Sequence, residues 1–118
     1  MKLSVNKEQI IEGLQKAAAI IPAKAGAAYL RSIWLKAEKG SLSIMATDAN
    51  IEFTGRYPAE VKQPGLIGVQ GRAFVDLVRQ LPAGVLQLTL DESTGNLLLE
   101  QGRRTYKLPV SGAEWFQN

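Results

Sequence analysis

Polar and apolar residues alternate from Lys2 to Asn6, with Leu3 and Val5 set against Lys2 and Ser4. That period of two predicts a half-buried strand. Asn6, followed three residues later by Gln9, fits a helix N-cap with a capping-box partner and puts the helix start at Lys7. Ile10, Ile11, Leu14, Ala17, Ala18 and Ile21 then recur at three- and four-residue spacing, while Glu8, Glu12, Gln15 and Lys16 fall elsewhere on the wheel. Pro22 ends the helix. After a small-residue loop from Ala23 to Ala28, Leu30 to Ala37 reads as a strand, Lys39-Gly40 as a hairpin turn, and Ser41 to Thr47 as its partner strand. Asp48-Ala49-Asn50 turns the chain again, and Ile51, Phe53 and Tyr57 begin a third, longer strand running towards Val61.

Pro64-Gly65 closes this unit, and the same order then returns. Leu66 to Val69 is a short strand, and Gly71 to Leu81 a helix with Phe74, Leu77, Val78 and Leu81 on one face. Pro82-Ala83-Gly84 stops it. Val85 to Leu90, Leu97 to Gln101 and Arg103 to Val110 supply three more strands, with Asp91 to Asn96 as a turn-rich loop. The chain is therefore strand, helix, three strands, twice over, with a period of about 64 residues when Val5 is set on Val69. Strands joined by tight turns are antiparallel, and two helices cannot cover both faces of two such sheets. The pattern predicts an α+β domain in which two helices pack on two antiparallel four-stranded sheets about a pseudo-two-fold axis.

Composition narrows the chemistry. The 118 residues, 46% hydrophobic, are sized for one domain spanning 1–118. Cys and His are both absent, which removes thiol nucleophiles, imidazole bases and Cys/His zinc sites. Asp48, Glu52 and Asp76 are the carboxylates that a metal-dependent nuclease would need, but Asp48 reads as a turn former and Asp76 as an exposed helix residue. Ser93-Thr94-Gly95 precedes a strand, not the helix and Lys of a phosphate loop. No catalytic group, metal or cofactor is expected. The longest apolar run, Ala17 to Ala23, falls short of the ~20 residues of a membrane span, and charge at Lys7 and Glu8 interrupts any secretory pattern. A cytoplasmic location without membrane attachment is the expectation. The net charge of +3 is concentrated early: Met1 to Lys36 holds six basic and two acidic residues, against five and five in Gly71 to Asn118. Such a balance is compatible with a polyanion against one face.

Gly40-Ser41-Leu42-Ser43-Ile44-Met45-Ala46-Thr47-Asp48 with Glu52, then Gln70-Gly71-Arg72-Ala73-Phe74-Val75-Asp76 leading to Leu81-Pro82-Ala83-Gly84, then Gly102-Arg103 leading to Tyr106-Lys107-Leu108-Pro109, carry a family likeness. In order and spacing they resemble the N-terminal domain of the bacterial sliding clamp, the beta subunit of DNA polymerase III. No single motif is diagnostic; their joint spacing and the doubled order are. The resemblance covers essentially all 118 residues. It implies the first of three similar domains in a ring of two subunits, with helices lining the hole and sheets outside. Glu114 to Asn118 matches the passage into the second domain. Two stretches depart from the family pattern: Ala27 to Ser32, which lacks a usual proline and asparagine, and Phe116-Gln117, where Phe-Pro is usual.

The resemblance also implies roles. Lys24 and Arg72 match positions that face DNA in or near the hole, and Lys7, Lys16 and Arg79 lie on the helices expected to line it. A clamp that slides needs a few sequence-neutral phosphate contacts and no base-reading side chains. Arg103, Tyr106 and Leu108 match the strand that pairs with the third domain of the other subunit in a homodimer ring; period-two alternation equally fits a place in this domain's own sheet. The implied partners are duplex DNA and, through the full-length clamp, DNA polymerase III and the clamp loader. A stand-alone α+β interaction or ligand-binding domain is the alternative from residue patterns alone.

Overall fold

Gly40 takes φ +79°, a left-handed conformation open to a residue without Cβ, and the turn it makes with Lys39 pairs Glu38 directly with Ser41. From that hairpin the sheet grows in both directions. The computed structural model describes residues 1–21, 32–48 and 50–111. Its elements are β1 (Lys2–Asn6), α1 (Lys7–Ile20), β2 (Ser32–Glu38), β3 (Ser41–Thr47), β4 (Glu52–Pro58), β5 (Glu60–Gln63), β6 (Gly65–Gln70), α2 (Gly71–Gln80), β7 (Val85–Asp91), β8 (Asn96–Gln101) and β9 (Arg104–Ser111). The helices start at Lys7 and Gly71, an offset of 64 residues. The doubled order is thus present in the fold.

The strands lie in the order β4-β3-β2-β6-β9-β8-β7-β1-β5, every neighbouring pair antiparallel. Two four-stranded halves are recognisable, β4-β3-β2-β6 and β9-β8-β7-β1, but they are continuous. Among the described residues, Gly68↔Ser111 and Val69↔Val110 join them. The ninth strand, β5, corrects the expectation of one long third strand. Pro58 has no N–H to continue the ladder, and Ala59 donates its N–H to Gly40 O at 3.2 Å. The chain therefore leaves β3 at Ser41↔Pro58 and joins β1 at Ser4↔Glu60. A single residue connects the two ends of the strand order, which brings both halves of the sheet together around one core.

That core takes the inward residues of both halves and one face of each helix. Ile10, Leu14 and Ala17 of α1 and Phe74 and Val78 of α2 are at most 1% exposed, among Ile33, Leu35, Ile44, Leu86 and Leu99. Ile11, Ala18 and Leu77 are only half-buried, at the margins of the helix faces. Trp34 is buried without belonging to this cluster, and it lies opposite Gly68 in the β2–β6 pair. A Cβ on Gly68 would come within 2.9 Å of its ring, so the glycine makes room for the indole.

Both helices end alike: Ile21 and Leu81 are buried, extended, and return their N–H groups to Ala18 O and Val78 O. Their starts differ. Asn6 makes no side-chain cap, contrary to expectation; the Lys7 N–H donates instead to Gly84 O at 2.9 Å. Gln70 does cap α2, its Oε1 accepting the Ala73 N–H at 2.7 Å. Among the described residues no helix is long and apolar enough to cross a membrane.

Candidate nucleic-acid interface

α1 packs against α2 and, beneath, against β3 and β4. The helices are antiparallel. The Lys7 ammonium at the start of α1 reaches the carbonyls of Arg79 and Leu81 at the end of α2, while Ala18 and Ala19 share a shallow surface groove with Arg72, at the start of α2. Because each helix turns one stripe inward, the opposite stripes form a continuous outer layer.

That layer carries Glu8, Glu12, Gln15 and Lys16 from α1, and Arg72, Asp76, Arg79 and Gln80 from α2, all exposed; Gln9, also exposed, lines a separate recess with Ser4, Pro58 and Glu60. Lys16 pairs with Glu12 at 3.2 Å, one turn away, and Arg79 lies 4.0 Å from Asp76. Arg72 has no carboxylate partner among the described residues. Exposed pairs of this kind hold their partners weakly, so an incoming phosphate can take over the cation at little cost. Cations and carboxylates are nearly balanced here, and uncharged Gln side chains lie between them. Such a surface can touch a polyanion lightly; it has no inserted recognition helix with which to read bases.

The five candidate cations do not share one fate. Arg72 and Arg79 are brought together, lining the groove with Gln15 and Asp76, while Lys16 is exposed on α1 beyond the groove's lining. Lys7 is half-buried and turned to α2's carbonyls. Lys24 lies outside the described residues, as do the Ala23 to Ala28 loop and Glu114 to Asn118. Asp48 is occupied as a turn former: its Oδ1 accepts the N–H groups of Asn50 at 2.8 Å and Ile51 at 2.6 Å, which holds its carboxyl below the usual range.

Residues 1–118 match the family model described as DNA polymerase III beta subunit, N-terminal domain. The chain belongs to that family. A beta sliding clamp of Streptomyces coelicolor is 31% identical over 111 residues, 93% of this chain and 30% of that protein. The beta sliding clamp of Escherichia coli K12 is 27% identical over 119 residues, 100% of this chain and 32% of that protein. Among solved structures, Caulobacter crescentus pol III beta superposes with a TM-score of 0.92 at 28% identity, over 97% of this chain and 31% of its own. The chain thus spans under a third of the length of these DNA polymerase III beta subunit relatives.

The candidate subunit-contact residues of this beta-subunit domain are arranged differently from the sequence reading. Arg103 is not on the last strand; with Gly102, at φ +60°, it forms the turn before β9. Leu108 is 8% exposed and belongs to the domain's own core, and Tyr106 is half-buried against it. β9 pairs with β8 from Arg104 to Pro109, and among the described residues β6 meets it at Val110 and Ser111. The other edge from Arg104 to Pro109 therefore has no partner strand among the described residues.

Four anchoring contacts escaped the sequence reading: the Lys7 ammonium on α2's carbonyls, Glu8 Oε1 accepting the Gly84 N–H at 2.6 Å, the Gln70 cap, and Gln101 Nε2 donating to Pro82 O at 2.7 Å. Only the cap is local. A cation at a helix's first position, where its own macrodipole disfavours it, was the one available sign for Lys7.

Proposed function

We propose that this chain is the first domain of a ring-shaped processivity factor, which encircles duplex DNA without sequence preference and tethers a replicative polymerase. The family match across residues 1–118 carries the reading, and the antiparallel helix layer with Lys16, Arg72 and Arg79 on its outer face supports it. Retention on DNA is topological in such a ring, so the contacts need only be weak enough to slide. Arg72, without a carboxylate partner among the described residues, is the principal phosphate contact; Lys16 and Arg79 exchange their carboxylates for phosphate, and Lys24 adds a fourth cation.

No step of chemistry is assigned to the domain, and no metal or cofactor is required. The open edge of β9 accepts a strand from a second subunit, with Tyr106 and Arg103 at the contact and Leu108 supporting it from the core. Polymerase and clamp loader engage the complete ring, and the protein works in the cytoplasm.

The test is a chimera in which this domain replaces the first domain of the Escherichia coli beta sliding clamp. Loaded onto nicked circular DNA, the chimera is expected to stay bound through a gel-filtration column and to dissociate once the DNA is linearised. A dimeric chimera that is retained equally on linear DNA, or never retained on circles, contradicts the proposal.

A further inference from the structure

Lys7 looks at first like one more phosphate ligand of the helix layer, but its contacts give it a different task. Its Nζ donates to Arg79 O at 3.2 Å and to Leu81 O, and its backbone N–H donates to Gly84 O. Beside it, Glu8 Oε1 accepts the Gly84 N–H, and from the other side Gln101 Nε2 reaches Pro82 O. The segment from Leu81 to Gly84 is thus held by α1 on one flank and by the end of β8 on the other.

The electrostatics favour this arrangement. The last carbonyls of a helix lack intrahelical partners and carry the negative end of its dipole, so an ammonium is well placed at α2's end. The same ammonium at the positive end of α1 would be disfavoured if it pointed along its own helix. Antiparallel packing resolves the conflict by bringing α2's end to it.

We propose that Lys7 is a positioning residue of the helix layer: it pins the carboxyl end of α2 to the start of α1 and thereby sets where Arg72 and Arg79 stand, without itself meeting phosphate. This rests on the nucleic-acid reading above. A ten-residue helix is about 15 Å long, so a tilt of about 10° at the pinned end moves Arg72 by about 2–3 Å. A displacement of that size separates a hydrogen bond made from one lost.

The experiment compares the 118-residue chain with its Lys7→Met, Lys7→Arg and Arg72→Ala variants. Amide hydrogen exchange is read at Leu81 and Gly84 against core amides of β7 and β8, and affinity for a short duplex is read as a function of salt. In Lys7→Met, exchange at Leu81 and Gly84 is expected to rise on the order of tenfold with the core amides unchanged. Duplex affinity should fall on the order of threefold at an unchanged salt slope, whereas Arg72→Ala should reduce the slope by about 0.9. Lys7→Arg, which keeps a donor and the charge, should restore both exchange and affinity. Loss of about 0.9 from the slope in Lys7→Met, with exchange unaltered, would make Lys7 a phosphate ligand and overturn the proposal. So would a Lys7→Met chain unchanged in both readouts. Failure of the unsubstituted chain to bind any duplex at low salt would instead overturn the function from which the proposal starts.

Discussion

The phenol of Tyr57, on β4, occupies the place where a side chain on Gly13 of α1 would stand. It fills the corresponding space above Gly55 as well, two residues back on its own strand. One aromatic ring thus fixes the distance between α1 and the sheet beneath, and the helix can pass so close because position 13 has no Cβ.

Gly13→Ala should therefore destabilise the domain, although alanine is the better helix former. Propensity alone would gain about 1 kcal/mol, while forcing a methyl against the ring costs up to about 3 kcal/mol. A net loss of up to about 2 kcal/mol in urea denaturation is expected. In a Tyr57→Ala background the same substitution should become neutral or stabilising, the coupling expected of residues in contact. Additive effects would mean that the ring and Gly13 do not constrain one another.

Much of this architecture was legible in the chain because it is written in short-range pattern. The alternation of Leu42 and Ile44 with Ser41 and Ser43, the Lys39-Gly40 turn and the repeated Ile21-Pro22 and Leu81-Pro82 stops each act within a few residues. The break at Ala59 was not legible, because the strand pattern runs on across it and the bond that turns it reaches back to Gly40. The anchoring roles of Lys7, which the sequence offers as a DNA contact, and of Glu8 were hidden for the same reason: their partners lie more than 70 residues away. The outer cations were visible as residue types at helical spacing. Which of them are free to meet an anion depends on the antiparallel approach of two helices, which no local pattern encodes.

Leu108, proposed above to support the subunit contact, is itself a residue of the core. At 8% exposure, Leu108→Ala should lower the stability of the isolated domain by about 2–5 kcal/mol, as for other large-to-small core changes. Tyr106→Ala, at a half-buried position, should cost clearly less, and Arg103→Ala, in an exposed turn, should lie within about 0.5 kcal/mol of the parent. Chemical denaturation of the three variants checks the order. If Leu108→Ala proves as mild as Arg103→Ala, its assignment to the core is wrong.

The pH dependence of stability should be one-sided. Hydrogen bonds from the Ser93 and Thr94 side chains hold the Asp91 carboxyl below its ordinary 3.8, as backbone N–H groups hold Asp48, and the Lys36 ammonium lowers Glu38 from its ordinary 4.5. Groups whose folded values are depressed contribute stability above their unfolded values and lose it as pH falls through the folded ones. With no His in the chain, the urea midpoint should be flat from about pH 5 to 7 and fall below about pH 4. Asp48→Asn with Asp91→Asn should flatten that acid limb; a limb unchanged by the pair would show that these turns do not drive it.

Whether DNA meets the outward face of the helix pair is read by titrating labelled 118-residue protein with short duplexes of unrelated sequence at low salt. With about four cations engaged, log K against log salt should have a slope near −3.6, and affinity at physiological salt should be no better than high micromolar. Backbone shifts should cluster at Gln15, Lys16, Ala19, Arg72, Asp76 and Arg79, with equal affinities for every sequence. Shifts confined to the strands, or tight binding to one sequence, would mean that DNA meets another face of the domain.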